Sequence, residues 1–394
     1  MSNHQFTDIR VAISPDNPSI QRLEFKCIKC GACKTVCTND IGVCGTYDLA
    51  KTGDNPICIH CGQCANVCPV DSITEKFEVY QVAEEIRNPE KIVIVSTSPS
   101  VRIALGEEFG MADGSFVQGK MVALLRKLGV DYVLDTNFSA DLTIMEEGHE
   151  FLNRLQNGGV LPMITSCSPG WVNMMELKYP ELLPHLSTAK SPQQMFGAIA
   201  KTYYAEKAGI DPAKIVCVSV MPCTAKKAEA AREEMCASGY RDVDVVITTR
   251  ELGRMIREAG IDFANLPEEN YDSPLGAGTG AAVIFGTTGG VMEAALRTVA
   301  EVVLGEEIAD VEYNDVRGME QTREAVIKVG EAEVKIAVVH TLASAKKMLD
   351  RIKEGTADYH FIEVMACPGG CVNGGGQSYV DYSKIDIEEV IKKR

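Results

Sequence analysis

The stretch CIKCGACKTVC (27–37) and its echo CIHCGQCANVCP (58–69) decide how the first part of the chain must fold. Cys27, Cys30, Cys33 and Cys37 follow the spacing C-x2-C-x2-C-x3-C. Cys58, Cys61, Cys64 and Cys68 repeat it, with Pro69 behind the last. Three cysteines two residues apart wrap a tight loop around a common centre, and the fourth position is left to a residue from elsewhere. Fifteen cysteines occur in 394 residues, and nine of them lie between positions 27 and 68. A chain of this length does not depend on disulfide staples and should hold two or three domains with sizeable cores. Its 45% hydrophobic and 24% charged residues are those of a soluble globular protein. No apolar run approaches the roughly 18–20 residues of a membrane span, and the opening MSNHQFTDIRVAIS has no apolar secretion core. A cytoplasmic location is therefore expected, where clustered cysteines serve more often as metal ligands or catalysts than as disulfides. The net charge of −16 argues against nucleic acid as a partner. A redox metalloprotein is the class left standing.

The doubled spacing is that of bacterial two-cluster ferredoxins, in which the fourth cysteine of each run ligates the other cluster. One 4Fe–4S cubane is thus expected on Cys27, Cys30, Cys33 and Cys68, and a second on Cys58, Cys61, Cys64 and Cys37. Zinc is the alternative, but zinc ribbons pair CxxC units in twos and have no use for a third cysteine. Cys44, in the segment between the runs, belongs to neither. Such a module moves single electrons and does no bond chemistry, so something downstream must use them. Residues 70–90 read as its exit strand and helix, which sets expected domains at 1–88 and 89–394.

Downstream, apolar β-rich runs alternate with amphipathic helices. The candidate strands are 92–97, 132–136, 215–220, 243–248, 334–340 and 359–365. Helical patterns such as KMVALLRKLG, ELGRMIREAG and SAKKMLDRIKEG each run into a glycine, a helix stop signal. Continuous β-branched runs alternating with helices predict an α/β fold with mostly parallel sheets, in one large domain or two lobes. The GAGTGA of the 274–305 stretch does not follow a strand in a βαβ unit, so it is a weak dinucleotide signal; its glycines fit close backbone approach better.

Three distant segments share one chemistry: TSCSPGW (165–171), MPCTAKKAE (221–229) and EVMACPGGCVNGGGQ (363–377). Cys223, Cys367 and Cys371 fall just past predicted strands, where α/β sheets build their sites. Any one alone reads as a core residue; three together suit a buried metal cluster. These segments resemble the FeFe (iron-only) hydrogenases, whose pattern runs TSCCPxW, MPCxxKxxE and ExMxCxxGCxxGGGQ. The second and third are met without departure, and the resemblance covers the whole chain. It implies an N-terminal ferredoxin-like α+β domain followed by a two-lobed α/β catalytic domain. It also implies an H-cluster: a 4Fe–4S cubane joined through a cysteine thiolate to a two-iron unit with CO, cyanide and an azadithiolate bridge. Cys223, Cys367 and Cys371 are then cubane ligands, with Cys371 bridging. In the first motif Cys167 fills the proton-shuttle position, but Ser168 stands where the family has its fourth ligand. Serine is a harder, far less acidic donor than a thiol. The expectation is Ser168 at the fourth corner with Cys167 free; a Cys167 ligand or a weak corner are the alternatives.

The same resemblance puts Ser100, Gln193, Met221, Pro222, Phe285 and Met365 around the two-iron unit. Ser100 and Lys226 are the expected donors to cyanide, Lys226 with charge assistance. It also arranges Cys167, Glu147, Ser187, Glu150 and Arg154 in series as a proton route. By spacing alone, Glu147, Glu150 and Arg154 share one helix face, which is more often a solvated ion-pair face than a relay. The expected activity is reversible formation of dihydrogen from protons and electrons. A ferredoxin or similar carrier would feed the two N-terminal clusters, and maturation proteins would build the two-iron unit. The rivals are a non-catalytic or sensory relative, including iron–sulfur assembly proteins, and a plain electron carrier. The chain stops 17 residues past Gln377, which looks short for single-chain members and leaves open a small subunit or a homo-oligomer.

Overall fold

The computed structural model describes residues 9–43, 57–305, 320–329, 332–380 and 386–394; Cys44 lies outside them. The N-terminal module is organised by two short antiparallel strands, β1 (Ile20–Arg22) and β2 (Ile73–Glu75), with Gln21 opposite Thr74. Between them, helices α1 (Ala32–Asn39) and α2 (Gln63–Asn66) each open on a left-handed glycine, Gly31 at φ 83° and Gly62 at φ 72°. Lys29 and His60, two residues earlier, also have positive φ, 55° and 64°. The duplicated sequence is thus a duplicated backbone. Helix α3 (Val79–Arg87) follows and buries Val79 and Val82 in the core beneath the first large sheet.

That sheet holds β3 (Ile92–Thr97), β4 (Tyr132–Asp135), β6 (Ile215–Met221) and β7 (Val245–Thr248), in the order β4-β3-β6-β7, all parallel. All seven residues of β6 are buried, as a central strand covered on both faces requires. Helix α4 (Gln118–Leu128) packs Met121, Leu124 and Leu125 onto it and ends at Gly129, left-handed at φ 103°. The second sheet contains β5 (Met163–Ile164), β8 (Thr322–Val329), β9 (Ala332–His340) and β10 (Phe361–Met365), ordered β5-β10-β9-β8. Only its edge strand β8 runs antiparallel. The expected α/β class with mostly parallel sheets is what the structure has, and every candidate strand is present.

Helix α5 (Thr136–Asn157) crosses between the sheets over 22 residues. Asp135 caps it, accepting from Asn137 N at 3.0 Å while ion-paired to Arg102 at 2.7 Å. The glycine-rich 274–286 segment lies against its first turn: a Cβ on Gly278 would sit 2.4 Å from that of Asn137. This close approach replaces any dinucleotide role for GAGTGA. Helices α6 (Pro169–Lys178), α7 (Pro192–Ile199), α8 (Ala225–Ala230), α9 (Thr249–Glu258), α10 (Gly290–Leu304) and α11 (Leu342–Lys353) complete the layers. Among the described residues no helix is long and apolar enough to cross a membrane.

Candidate active site

The loops with duplicated backbone gather the N-terminal cysteines into two groups. Cys27, Cys30, Cys33 and Cys68 line a void of about 330 Å³, and Cys37, Cys58, Cys61 and Cys64 line one of about 400 Å³. The fourth cysteine of each run therefore stands with the first three of the other. Hydrogen bonds already point at the sulfurs: Ser72 N donates to Cys68 Sγ at 3.2 Å, and Val11 N to Cys33 Sγ at 3.4 Å. His60 N and Asn17 Nδ2 both donate to Cys58 Sγ at 3.4 Å. Among the described residues no three His, Cys, Asp or Glu side chains converge tightly enough for a single metal ion. Cysteines ringing a void suit a many-atom cluster rather than zinc.

A cavity of about 860 Å³ lies where the carboxyl ends of both sheets meet. Parallel strands release their chain at that edge, and here five of them do so into one space. Ser98–Ser100 follow β3, Cys167–Gly170 follow β5, and Pro222, Cys223 and Lys226 follow β6; Thr136 follows β4, and Ala366, Cys367 and Cys371 follow β10. Gln193, Met221, Phe285 and Met365 complete the wall. The three distant motifs are thus neighbours, and every residue assigned by resemblance to the cofactor surroundings faces this space.

Its donors fit a cluster with polar ligands. Ser100 Oγ and Gln193 Oε1 are buried with no hydrogen-bond partner among the described residues. Leaving such atoms unpaired costs about 1–3 kcal/mol each, a cost a bound group recovers. Burial pushes the thiols of Cys223, Cys367 and Cys371 upward, against the pull of Lys226 on Cys223 and Cys371. They stay protonated until a metal displaces the proton. Ser168 shares the wall, and its Oγ accepts only a long 3.4 Å contact from Ala366 N. Burial, with Glu147 second, raises the Cys167 thiol well above its ordinary range; Lys226 works the other way.

Lys226 is held, not free. Its Nζ donates to Cys167 O at 3.0 Å and to both oxygens of Glu229 at 3.1 and 3.0 Å. Glu229 also accepts from Ser191 Oγ at 2.9 Å and Gln193 Nε2 at 3.0 Å, so it fixes two residues of the wall at once. The sequence reading quoted Glu229 without a role; its place three residues after Lys226 on α8 was the available signal. Glu363 was passed over likewise. It accepts from Gly289 N and Met292 N, both at 2.7 Å, and so fixes the start of α10 beside Phe285.

On α5, Glu147 is fully buried while Glu150 and Arg154 lie nearer the surface. Burial raises the Glu147 carboxyl to about 7, opposed by the Ser187 hydroxyl and Ser166 N–H and assisted by the Glu150 charge. Ser187 Oγ donates to Glu150 Oε2 at 3.0 Å, and Arg154 grips Glu150 Oε1 at 2.6 Å. Arg154 also donates to the carbonyls of Val160, Pro184 and Leu186, which anchors the outer end. Glu147, Ser187, Glu150 and Arg154 therefore form a file from the wall at Cys167 outward.

The N-terminal module is seated directly on this site. Cys61 borders both the 400 Å³ void and the 860 Å³ cavity. A Cβ on Gly375 would lie 2.0 Å from Cys61 O, so only glycine allows the two backbones to meet. Gln63 Nε2 donates to Asn373 O at 2.8 Å, and Thr224 Oγ1 to His60 O at 2.6 Å. Arg250, buried and stacked 4.3 Å over Tyr379, joins Glu75 (2.8 Å), Asn66 (2.9 Å) and Gln377 O (2.6 Å).

Known proteins resemble this chain closely. The profile of the iron only hydrogenase large subunit, C-terminal domain, matches residues 91–375, and that of a 4Fe-4S binding domain matches 54–74. The NADP-reducing hydrogenase subunit HndD of Solidesulfovibrio fructosivorans is 51% identical over 95% of this chain, which spans 66% of that protein's length. The periplasmic [Fe] hydrogenase large subunit of Nitratidesulfovibrio vulgaris is 52% identical over 76% of this chain and 72% of its own. A solved FeFe-hydrogenase HydA1 variant from Chlamydomonas reinhardtii superimposes with TM-score 0.71 at 40% identity, covering 81% of this chain and 88% of that one. More distantly, the cytosolic iron-sulfur assembly component 3 of Rattus norvegicus is 34% identical over 73% of this chain and 62% of its own. From the fold, the cysteine-lined cavity and these matches, the chain belongs to the iron-only hydrogenase family.

Proposed function

We propose that the chain is an FeFe-hydrogenase, an oxidoreductase that interconverts protons and electrons with dihydrogen at an H-cluster in the 860 Å³ cavity. The single observation that carries this reading is the convergence of Cys223, Cys367, Cys371 and Ser168 on one space with the unpartnered Ser100 Oγ and Gln193 Oε1. In it, Cys223, Cys367 and Cys371 would hold the cubane, Cys371 would also hold the two-iron unit, and Ser168 would supply an oxygen ligand. When bound, the H-cluster supplies the centre at which dihydrogen is made or split.

The chain's own residues do the rest. Met221, Phe285 and Met365, all buried, exclude water. Lys226, held by Glu229, presents a fixed positive charge to the cavity wall. Cys167 keeps its proton in the resting state and passes it to Glu147, whose carboxyl near 7 can take and release it at neutral pH. Ser187 connects to Glu150, and Arg154 marks the way out. Electrons would come from a ferredoxin or similar one-electron carrier, through a cubane on Cys27, Cys30, Cys33 and Cys68. Cys58, Cys61, Cys64 and Cys37 would hold a second, and Cys61 borders both its void and the catalytic cavity. Residues 1–88 would be the electron module and 89–394 the catalytic domain; a cytoplasmic location and dependence on maturation proteins belong to the same reading.

A second reading has one observation in its favour: Ser168 stands where a thiolate is expected, and iron–sulfur assembly proteins are among the relatives. A non-catalytic protein has no use for the buried file from Cys167 to Arg154, which supports the enzyme. Gas chromatography of dihydrogen from reduced methyl viologen, on protein matured with the complete cofactor, decides between them. Production well above background is expected; none from fully loaded protein would overturn the enzyme reading.

A further inference from the structure

We infer that Lys178, supported by Lys346, raises the reduction potential of the inner cubane, the one assigned above to Cys37, Cys58, Cys61 and Cys64; the inference rests on that assignment. The void those cysteines line is otherwise walled mainly by aliphatic side chains, Val11, Ile13, Ile41, Val43, Ile57 and Ile59. A cubane gains a negative charge on reduction, and apolar surroundings oppose that charge by withholding solvation. Hydrogen bonds to the sulfurs and the net charge nearby are what a protein sets against this cost. His60 N and Asn17 Nδ2 supply the first, both at Cys58 Sγ. Lys178 supplies the second, from beyond the N-terminal module.

Helix α6 packs along the void. Its Trp171, Met174 and Met175 share one apolar core with Ile41, Val43 and Ile59, and Cys37 and Cys61 pack against that core. Lys178 is the last residue of the helix, where a cation is ordinary by itself. Its Nζ, however, lies 3.5 Å from Gly42 O, the carbonyl between Ile41 and Val43 of the wall. Lys346 on α11 closes on the same residue: a Cβ added to Gly42 would lie 3.4 Å from its Cδ. Both lysines are half-buried, so their fields are screened less than those of surface charges. Burial pulls the Lys178 ammonium down to about 8, the Lys346 charge adds to this and Cys37 opposes it, which leaves Lys178 cationic at neutral pH. Its charge is therefore felt at a cysteine of the inner group.

The outer group is set differently. Arg10 and Arg22 share Glu24 there, at 2.7 and 3.7 Å, and Cys30 is exposed, so a carboxylate and solvent mute those cations. In a chain of net charge −16, the two lysines favour an added electron at the group that borders the cavity over the group nearer the surface.

The test is a potentiometric titration, followed by EPR, of the full chain loaded with its 4Fe–4S clusters and lacking the two-iron unit. Cys30→Ala, which alters the outer cluster, tells the two ferredoxin-type signals apart. In Lys178→Met the inner cluster should show an oxidised-to-reduced ratio about tenfold higher at the wild-type midpoint, a midpoint about 59 mV lower for one electron. Lys346→Met should move it the same way by less, and Lys178→Arg should keep the wild-type value. Iron content and thermal midpoint, read beside each titration, show that the clusters are in place. An unmoved inner midpoint in fully loaded Lys178→Met overturns the proposal. So does an equal fall in Lys178→Arg, which would make packing and not charge the cause. A wild-type chain without a pair of ferredoxin-type signals overturns the cluster assignment and the tuning with it. If the midpoint moves as expected while matured protein makes no dihydrogen, the tuning stands and the hydrogenase reading fails.

Discussion

Replacing Glu147 with glutamine sets two demands on that residue against each other. A carboxyl that ionises near 7 instead of the ordinary 4.5 disfavours its charged form in the folded protein by about 3 kcal/mol. The folded state holds this proton more tightly than the unfolded chain does. Glu147 therefore imposes no cost below pH 4.5, loses stability for the protein as pH rises toward 7, and imposes the full cost above it. Glutamine carries no charge to bury, but its amide replaces an oxygen, Oε2, that has no partner, which costs part of the gain. At pH 8 the net is a stabilisation of about 1–3 kcal/mol. With about 2.1 cal/mol/K of unfolding entropy per residue, that is a rise of about 1–4 °C in thermal midpoint. The gain should be absent at pH 4. Turnover, deprived of a titratable group in the file, should drop by about 10²-fold or more. Differential scanning calorimetry at both pH values, beside hydrogen evolution at pH 8, reads both effects. A midpoint shift of the same size at pH 4 and pH 8 would refute the burial argument, and retained turnover would refute the relay.

Other residues give independent handles. Ser168→Cys should change the reduced-state EPR signal of the cavity cubane and leave both ferredoxin-type signals intact; an identical spectrum would remove Ser168 from the ligand set. Cys367→Ala should lower bound iron by one cubane, measured as iron and sulfide per chain, and full iron content would contradict its assignment. Gly375→Ala drives a methyl group into Cys61 O, so electron delivery from ferredoxin should fall further than thermal stability does. Arg250→Gln leaves Glu75 as an uncompensated buried charge and should cost about 3–5 kcal/mol in chemical denaturation; a loss below 1 kcal/mol would show that the joint is wetter than its burial implies.

The strands that could be read in advance were continuous apolar runs, because a parallel strand covered on both faces has no polar side to disguise it. Those passed over lacked that mark. β1 is three residues, β5 only two, and β8 alternates exposed and half-buried residues as a sheet edge does. The cysteine groups were legible because cubane ligation constrains spacing within a loop. The gathering of Cys167, Cys223 and Cys371 was not legible from spacing, since strand order brings them together across some two hundred residues; the motif resemblance supplied it. Glu229 and Glu363 escaped for another reason. Each acts through the groups it holds, Lys226 and Gln193 for one, the start of α10 for the other, and a residue that touches only supporting atoms leaves no mark in a cysteine pattern. Spacing alone makes Glu147 look like part of a solvated face, whereas its side chain is wholly enclosed; the motif resemblance, not the spacing, set it in the proton route.

The most direct test of the central claim is infrared spectroscopy of the chain matured with the complete cofactor, recorded under dihydrogen and under inert gas. Cyanide and CO bands that shift between the two gases are predicted, because the cavity would hold a two-iron unit that exchanges electrons with its substrate. A protein with full 4Fe–4S content whose spectrum lacks those bands, or keeps them unchanged under dihydrogen, would contradict the account.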